Sequence, residues 1–306
     1  MSAFTAMKTL VLTAILGLLA LPAAAQVEVE VPTAEKVAVL ADKRIAESSG
    51  IARSLRHPGI FWTHNDSGGE PCLFAINQKG ETVAKVRVPT AANFDWEDIT
   101  QGPDEKGQPC LFIGDIGDNL KRRASIQIYR IPEPDLPEDA EKEVLSAEPE
   151  TWHVSYPDGR HNAECLMMHP LNRHLFIVTK TEDGRCALYR VPEDRISGQA
   201  MKLIKMADLN FPSRPREGKR PGMACMATAA DFSPDGSWLV IGTYSYLHEW
   251  KLSKKASLAQ SLAAPARIIQ PPLTKQMEAV CYDEDGASLW FTSEQLPVPL
   301  YRLSRK

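Results

Sequence analysis

Five short segments of the sequence each place one oxygen-bearing side chain at the start of a strand-like stretch. The most acidic of them is residues 93–99, where Asp95, Glu97 and Asp98 lead directly into an apolar run. Because side chains alternate along a strand, an apolar residue two positions after the oxygen-bearing one should lie on the same side of the strand. The oxygen-bearing residues are Ser49, Glu97, Glu164, Thr228 and Glu278, followed by Ile51, Ile99, Leu166, Ala230 and Val280.

These segments recur at the spacing of propeller blades, and each precedes further strand-like stretches separated by turn-forming residues. The sequence therefore predicts an all-β fold, a five-bladed β-propeller. The last unit offers only three strands, so a strand at residues 37–40 is expected to complete it and close the ring. The fourth strand of the third unit is placed at residues 201–206, and residues 133–150 are expected to form a surface loop. The alternative is an antiparallel sandwich in which the similarity of the segments is fortuitous.

If the five segments are the innermost strands, their oxygen-bearing side chains form a ring at one mouth of the central channel. Three glutamates on one axis repel one another and require a cation or raised pKa values. Calcium fits such a ring, since it accepts several oxygen ligands in loose geometry. The sequence thus predicts a calcium site on Ser49, Glu97, Glu164, Thr228 and Glu278. The alternative is an ion-free ring that is hydrogen-bonded to neighbouring backbone and channel water.

The second strand of each unit should end at the same mouth, and these ends are unusually polar. Asp66 and Asp115 are candidates for activating a water, His64 and His161 for assisting it, and Lys180 for stabilising negative charge. Each has a simpler explanation: acidic turns are common, histidines often serve as hydrogen-bonded loop residues, and Lys180 could pair with Glu164. Cations that could contact a phosphate, or form an ordinary solvated surface, are Arg53, Arg214, Arg216, Lys219 and Arg220.

The N-terminus has the pattern of a signal peptide: Lys8 precedes a short apolar run that ends in small residues. The predicted organisation is a signal peptide over residues 1–25, a linker over 26–35 and one propeller domain over 36–306. We therefore expect a secreted or periplasmic protein that leaves the membrane after cleavage and is monomeric. The net charge of -4 and the absence of long basic runs argue against a nucleic-acid partner.

Six cysteines in an exported chain could form up to three disulfides. Cys165 and Cys281 lie inside predicted inner strands, where buried thiols are expected. Cys186 and Cys225 fall on the same face of neighbouring blades, and they are the pair considered first for a disulfide.

Several motifs together resemble a family of secreted bacterial propeller proteins without an assigned activity. They are the runs at residues 64–68, 95–99, 114–119, 162–164 and 233–236. More distantly, the order Ser, Glu, Glu, hydroxyl, Glu is similar to the calcium-activated nucleotidases of the apyrase type. That resemblance implies a central calcium on one ligand per blade and hydrolysis of nucleoside diphosphates at that face. The match departs at Thr228, where that family has Ser.

Two functions follow from these observations. The first is a metal-dependent hydrolase that acts on a small phosphate-bearing or other anionic ester at the channel mouth, with a lactonase or esterase as a variant. The second is a non-catalytic propeller that binds a ligand or protein and uses calcium only to hold its blades together. The absence of a recognisable nucleophile motif favours the second, and the crowding of polar residues at one mouth favours the first.

Overall fold

The computed structural model describes residues 28–214, 216–220 and 222–305, so the predicted signal peptide lies outside the described residues. Five antiparallel sheets form the blades of a β-propeller, as the sequence predicts. Two strands precede the first blade: β1 (Val29–Glu30) and β2 (Ala34–Val39). Blade 1 contains β3 (Ser48–Arg53), β4 (Ile60–Asn65), β5 (Cys72–Asn77) and β6 (Thr82–Arg87).

Blades 2 and 3 repeat this order from the channel outward. Blade 2 contains β7 (Trp96–Pro103), β8 (Pro109–Asp115) and β9 (Ile126–Pro132), then, after β10 (Val144–Leu145), β11 (Glu150–Ser155). Blade 3 contains β12 (Ala163–Met168), β13 (Leu175–Thr179) and β14 (Arg185–Arg190), then, after β15 (Ala200–Lys202), β16 (Ile204–Asn210).

Blades 4 and 5 complete the ring. The two short helices of the described residues lie in this part of the chain. A 3₁₀ turn (Met223–Cys225) precedes blade 4, and α1 (Leu258–Leu262) interrupts it. Blade 4 contains β17 (Ala227–Phe232), β18 (Trp238–Thr243), β19 (Leu247–Lys251) and β20 (Arg267–Ile269). Blade 5 contains β21 (Gln276–Tyr282), β22 (Ser288–Glu294) and β23 (Pro299–Ser304).

The ring closes as predicted, because β2 pairs antiparallel with β23 and supplies the fourth strand of blade 5. Three further strands add parallel edges that the sequence analysis did not predict. β1 pairs with β20, β10 with β6 and β15 with β11. Each covers backbone groups that an outer strand would otherwise expose. Part of the predicted linker and part of the predicted 133–150 loop are therefore strands, and the fourth strand of blade 3 lies at Ile204–Asn210 rather than at 201–206.

Each inner strand contains a β-bulge at the residue that the sequence singled out. The register of pairing with the second strand shifts between Trp96 and Asp98 in β7, and between Ala163 and Cys165 in β12. The same shift brackets Thr228 in β17, Glu278 in β21 and Ser49 together with Gly50 in β3. A bulge inserts an extra residue and re-aims its side chain. The bulges therefore explain why five similar strand starts recur around the channel.

Apolar clusters fill the spaces between neighbouring blades. Trp62 of blade 1 packs in one cluster with Trp96 and Ile131 of blade 2. Side-chain hydrogen bonds add to this packing: Leu166 N donates to Asp98 Oδ2 (2.8 Å) across blades 2 and 3, and Tyr282 N donates to Asp231 Oδ2 (2.9 Å) across blades 4 and 5. The apolar residues two positions after the predicted ring residues are all buried, as expected: Ile51, Ile99, Leu166, Ala230 and Val280.

All six cysteines are buried free thiols, so the disulfide considered between Cys186 and Cys225 is not formed. The Cys225 thiol instead donates to the carbonyls of Gly222 (3.0 Å) and Glu182 (3.2 Å), and the Cys186 thiol lies 3.7 Å from Thr181 Oγ1. Cys165 and Cys281 are fully buried, as predicted for inner strands. Over the described residues, no helix is long and apolar enough to span a membrane.

Candidate functional site

A cavity with a volume of about 570 Å³ opens at the bulged end of the inner strands; we call it the acidic cleft. Carboxylates outnumber cations along its wall. The carboxylate residues are Asp66, Glu97, Glu164, Glu182, Glu278 and Glu294, and the cations are Lys180 and Arg220. The three predicted glutamates of the ring therefore meet in one cavity, each at most 4% exposed.

One side of the acidic cleft holds a compact group of carboxylates. Oxygens of Asp66, Asp95 and Glu97 all lie within 4.8 Å of one another. Gly117 leaves room for them, because a Cβ atom at this position would collide with the carboxylates of Asp95 and Glu97. Burial and, secondarily, the charge of Glu278 raise the pKa of Asp66 to about 7. Burial, followed by repulsion from Glu164, raises the pKa of Glu97 well above its usual value.

Lys180 lines the acidic cleft and forms an ion pair with Glu164. Its Nζ also donates to the hydroxyl of Tyr244 (2.6 Å) and lies 4.7 Å from the centre of that ring. Burial alone would lower the pKa of Lys180, but Glu164 and Glu278 raise it, so the ammonium stays charged. Despite this partner, burial raises the pKa of Glu164 to about 8, and Glu164 Oε2 is buried without a hydrogen-bond partner.

The acidic cleft also holds a second carboxylate pair, Glu278 and Glu294. Glu278 Oε2 is also buried without a hydrogen-bond partner. Burial and the adjacent Glu278 raise the pKa of Glu294 to about 10, while Gln276 Nε2 donates to Glu294 Oε2 (2.8 Å). The cleft thus contains more negative charge than Lys180 and Arg220 offset. Such a site either takes up protons or binds a cation.

The two hydroxyl members of the predicted ring have different surroundings from the three glutamates. Ser49 Oγ donates to the carbonyl of Glu97 (2.9 Å), and Thr228 Oγ1 donates to the carbonyl of Met277 (2.7 Å). Each bond joins an inner strand to the inner strand of the next blade. Both side chains are buried, and neither lines the acidic cleft. The structure therefore gives them a role in holding neighbouring blades together.

Asp115 lies behind the acidic cleft and does not line it. Its side chain is fully buried and forms a salt bridge with Arg123 (Oδ1 to Nη1, 2.7 Å). Asp115 Oδ1 also accepts a hydrogen bond from the backbone N–H of Asp95 (3.2 Å). Burial raises its pKa, although Arg123 opposes the shift. Asp115 thus positions the segment that carries Asp95 and does not face the cavity as a base would.

Neither candidate histidine lines the acidic cleft. His64 is fully buried, with Nδ1 2.9 Å from the carbonyl of Asn65 and its ring edge on Trp96, and burial lowers its pKa to about 4. His161 lies against Tyr189 and forms a pair with Asp158 (3.1 Å). Among the five candidate catalytic residues, the structure brings only Asp66 and Lys180 into the cavity.

Three residues of the site, Asp95, Tyr244 and Glu294, were not among the candidates from the sequence. Tyr244 follows β18 directly, and Glu294 is the last residue of β22. They occupy the same place in their blades as Asp66 after β4 and Lys180 after β13. The end of the second strand was therefore the available signal in blades 1, 3, 4 and 5, whereas in blade 2 the residue at that end, Asp115, does not line the cleft.

Four of the candidate cations lie in residues 211–214 and 216–220, a loop that borders the acidic cleft. Arg216 donates to the carbonyls of Ser245 (2.6 Å) and Pro271 (2.5 Å), and Lys219 donates to the carbonyl of Lys275 (2.5 Å). These two cations fasten the loop to blades 4 and 5. Arg220 is the loop cation that lines the cavity itself.

The fold defines the chain as a β-propeller, and solved structures share that architecture. A gluconolactonase from Xanthomonas campestris is 11% identical, with 85% of this chain and 73% of that chain covered and a TM-score of 0.44. The WD40 repeats of RRP9 are 9% identical, with 91% and 100% covered and a TM-score of 0.46. Hydrazine synthase from Kuenenia stuttgartiensis is 12% identical, with 84% and 71% covered and a TM-score of 0.41.

These similarities concern the fold alone. No family model matches the chain, and no curated protein matches it. The function is therefore argued from the acidic cleft.

Proposed function

We propose that the chain is an exported propeller that binds calcium in the acidic cleft and hydrolyses a small anionic ester there. One observation carries the cation site: Asp66, Asp95 and Glu97 bring their oxygens within 4.8 Å of one another, while Glu164 and Glu278 in the same cavity each keep a buried oxygen without a partner. Buried carboxylate oxygens without donors are costly unless a cation or proton compensates them.

The donor set fits calcium better than other common metal ions. It consists of carboxylates from four blades, with no histidine or cysteine on the wall of the acidic cleft. Zinc prefers nitrogen and sulfur ligands, and magnesium requires a tight octahedron, whereas calcium accepts several carboxylates in flexible geometry. We assign Asp95, Glu97, Glu164 and Glu278 as the residues that would hold the ion.

The charge of the acidic cleft also determines which substrates it can take. An anionic ester would be repelled by these carboxylates unless a cation were bound first, and a bound calcium ion supplies the Lewis acid for such a substrate. Asp66 is only partly buried and faces the cavity, so it is our candidate for accepting a proton from the attacking water. Lys180 would stabilise negative charge on the substrate while it remains paired with Glu164.

A second function, a non-catalytic propeller with a structural calcium ion, is favoured by one specific observation. Both candidates for assisting proton transfer, His64 and His161, lie outside the acidic cleft, and so does Asp115, one of the two candidates for activating the water. Within the described residues that line it, no nucleophile stands beside a base. In this case the ion would only hold the inner strands together, and the cleft would receive a ligand without turning it over.

Thermal unfolding with calcium, magnesium or excess chelator tests the cation site. At about 100 times its dissociation constant, an ion bound only to the folded state adds about 2.7 kcal/mol of stability. We expect a calcium-specific rise in melting temperature that Glu97→Gln and Glu278→Gln abolish. Glu284→Gln, on an exposed turn at the opposite mouth, is the matched control and should keep the rise. No calcium response in the parent protein would contradict the proposal.

Turnover assays then separate the two functions. A nucleoside diphosphate, p-nitrophenyl phosphate and a sugar lactone are assayed with calcium and with chelator. The hydrolase proposal expects calcium-dependent turnover that Asp66→Asn reduces at least tenfold at a calcium concentration that saturates the variant. Calcium stabilisation without turnover of any of the three compounds would support the binding function instead.

A further inference from the structure

A second cavity, of about 370 Å³, lies between the outer parts of blades 3 and 4; we call it the interblade pocket. One wall is the end of β16 with the segment that follows it, and the other is β19 and β20. The helix α1 and residues 263–266 close the floor. The helix is held by a capping box, in which Ser257 and Gln260 bond each other's backbone N–H groups. The pocket is thus built from ordered elements and is separate from the acidic cleft.

Three aromatic rings form the interior of the interblade pocket. His248 and Trp250 stand two residues apart on β19 and therefore share a face. Their rings are stacked, with centroids 6.2 Å apart, and Phe211 meets His248 edge-on at 5.0 Å. Leu262 and Ile268 add apolar surface. An apolar pocket of this size with a few polar groups is the usual form of a small-molecule site.

His248 has a ring nitrogen that the rest of the pocket does not satisfy. It is 2% exposed, and its Nε2 is buried without a hydrogen-bond partner. Trp250 differs, because its indole N–H donates to the carbonyl of Ala264 (3.0 Å). Burial, with a smaller contribution from the charge of Arg214, lowers the pKa of His248 to about 3. The ring is therefore neutral near pH 7, and the His248 side chain, with its unpaired nitrogen, belongs to the lining of the pocket.

Arg214 gives the pocket a positive charge close to His248. It lines the cavity, and its Nε is buried without a hydrogen-bond partner. The carboxylate that also lines the pocket, Asp208, is 82% exposed and is paired with Lys205 (2.8 Å). The charge of Asp208 is thus compensated at the surface, whereas Arg214 Nε keeps an N–H without a hydrogen-bond partner.

We propose that the interblade pocket binds a small planar aromatic carboxylate. The aromatic body would lie among Phe211, His248 and Trp250, where ring contacts are favourable. The carboxylate would accept from Arg214 Nε, and a carboxyl or ring group of the ligand would satisfy His248 Nε2. Contacts with the three aromatic rings alone would not distinguish this ligand from a hydrocarbon of similar size. The two unsatisfied nitrogens select a ligand with polar atoms on one side.

Calorimetric titration of the full chain with indole-3-carboxylate, in the presence of chelator, tests the proposal. Chelator keeps a cation in the acidic cleft from contributing. We expect saturable binding that weakens on the order of tenfold in His248→Phe and in Arg214→Gln, because each variant removes one hydrogen bond to a charged or buried group. The neutral isostere indole-3-carboxamide should bind more weakly than the acid. Glu97→Gln, in the other cavity, is the matched control and should bind as the parent does.

The stability of His248→Phe separates a binding role from a structural one. If the role of His248 is to bind a ligand, replacing its ring with the apolar ring of phenylalanine should leave the melting temperature of the free protein unchanged or raise it. Arg214→Gln gives an independent answer if the phenylalanine variant does not fold. No saturable binding to the parent protein would overturn the proposal. Binding that neither variant weakens would overturn it as well.

Discussion

Glu97 and Asp98 are neighbours in β7 and both are buried, yet their surroundings differ. Asp98 accepts two backbone hydrogen bonds, from Ile99 N (2.9 Å) and from Leu166 N of the next blade (2.8 Å). Glu97 is the bulged residue, and it faces Asp66 and Asp95 in the acidic cleft. Asp98 thus links neighbouring blades by a hydrogen bond, whereas Glu97 adds negative charge to a cavity that already contains several carboxylates.

The same contrast recurs on the other inner strands. Asp231 in β17 accepts from Phe232 N and from Tyr282 N of blade 5, both at 2.9 Å. Glu164 and Glu278 each keep an oxygen without a partner. Buried carboxylates with backbone donors stabilise the fold, and those without donors indicate a ligand site. Hydrogen bonds from backbone N–H groups, rather than burial, separate the two kinds.

The largest expected effect on the free energy of unfolding comes from replacing Asp98 and Glu97 with alanine in separate variants, measured in the presence of chelator. Asp98→Ala leaves the backbone N–H groups of Ile99 and Leu166 buried and unpaired, so it should lower the free energy of unfolding by about 3 kcal/mol. Glu97→Ala removes a carboxylate from a repulsive group and should change stability by less than about 1 kcal/mol, or raise it. Denaturant unfolding measures both. Equal losses in the two variants would contradict the distinction.

The pH dependence of stability gives the next largest effect. Burial raises the pKa of Asp231 to about 7 from its usual 3.8, against the opposing influence of the Tyr282 N–H bond and of Arg53. The folded state then binds more protons than the unfolded state between these values. The contribution of Asp231 is therefore greatest at low pH and is lost as pH rises toward 7, by about 1 kcal/mol per unit.

Asp231→Asn isolates this contribution, because the amide keeps an oxygen acceptor and does not titrate in this range. The difference in unfolding free energy between parent and variant is measured from pH 4.5 to pH 7.5 with chelator present. We expect the parent to lose stability relative to the variant as pH rises. A constant difference would show that the backbone donors keep Asp231 ionised throughout.

The sequence was sufficient for the repeating parts of the fold and for the location of the site. The five strand starts marked the bulges, so the blade count, the closing strand and the convergence of Glu97, Glu164 and Glu278 could be predicted. The parallel edge strands could not, because two or three residues such as Val144–Leu145 have no periodicity and are defined only by pairing with a distant strand.

The direction of individual side chains was also beyond the sequence. His64 and Asp115 were placed at the correct end of their second strands, but they point into packing rather than into the acidic cleft. Position along a strand follows from spacing, whereas the side to which a residue points near a strand end depends on local register and bulges. At comparable positions in their blades, Tyr244 and Glu294 do line the acidic cleft.

A smaller effect is expected from Gly117, which leaves space for the carboxylates of the proposed cation site. Gly117→Ala would place a methyl group against Asp95 and Glu97, which overpacks the site. We expect a loss of about 1 to 2 kcal/mol in stability and a tenfold or greater weakening of calcium binding. Gly69→Ala is the control, since its nearest neighbour is Asn93 Nδ2 at 3.9 Å. Calorimetric titration with calcium would contradict the assignment if Gly117→Ala bound as tightly as the control.

The smallest expected effect concerns Thr228. The sequence predicts it as a calcium ligand of the ring, but its buried hydroxyl is paired with the backbone. Its hydroxyl donates to the carbonyl of Met277, so Thr228→Val should remove one inter-blade hydrogen bond at nearly constant volume. The expected loss is about 1 kcal/mol of unfolding free energy, with the calcium-induced rise in melting temperature unchanged. Glu278→Gln, on the adjacent strand, should show the reverse: little loss with chelator and no calcium response. A calcium response that Thr228→Val abolishes would mean that the hydroxyl is a ligand, and that the ring binds its ion with all five positions rather than with the carboxylates of the acidic cleft.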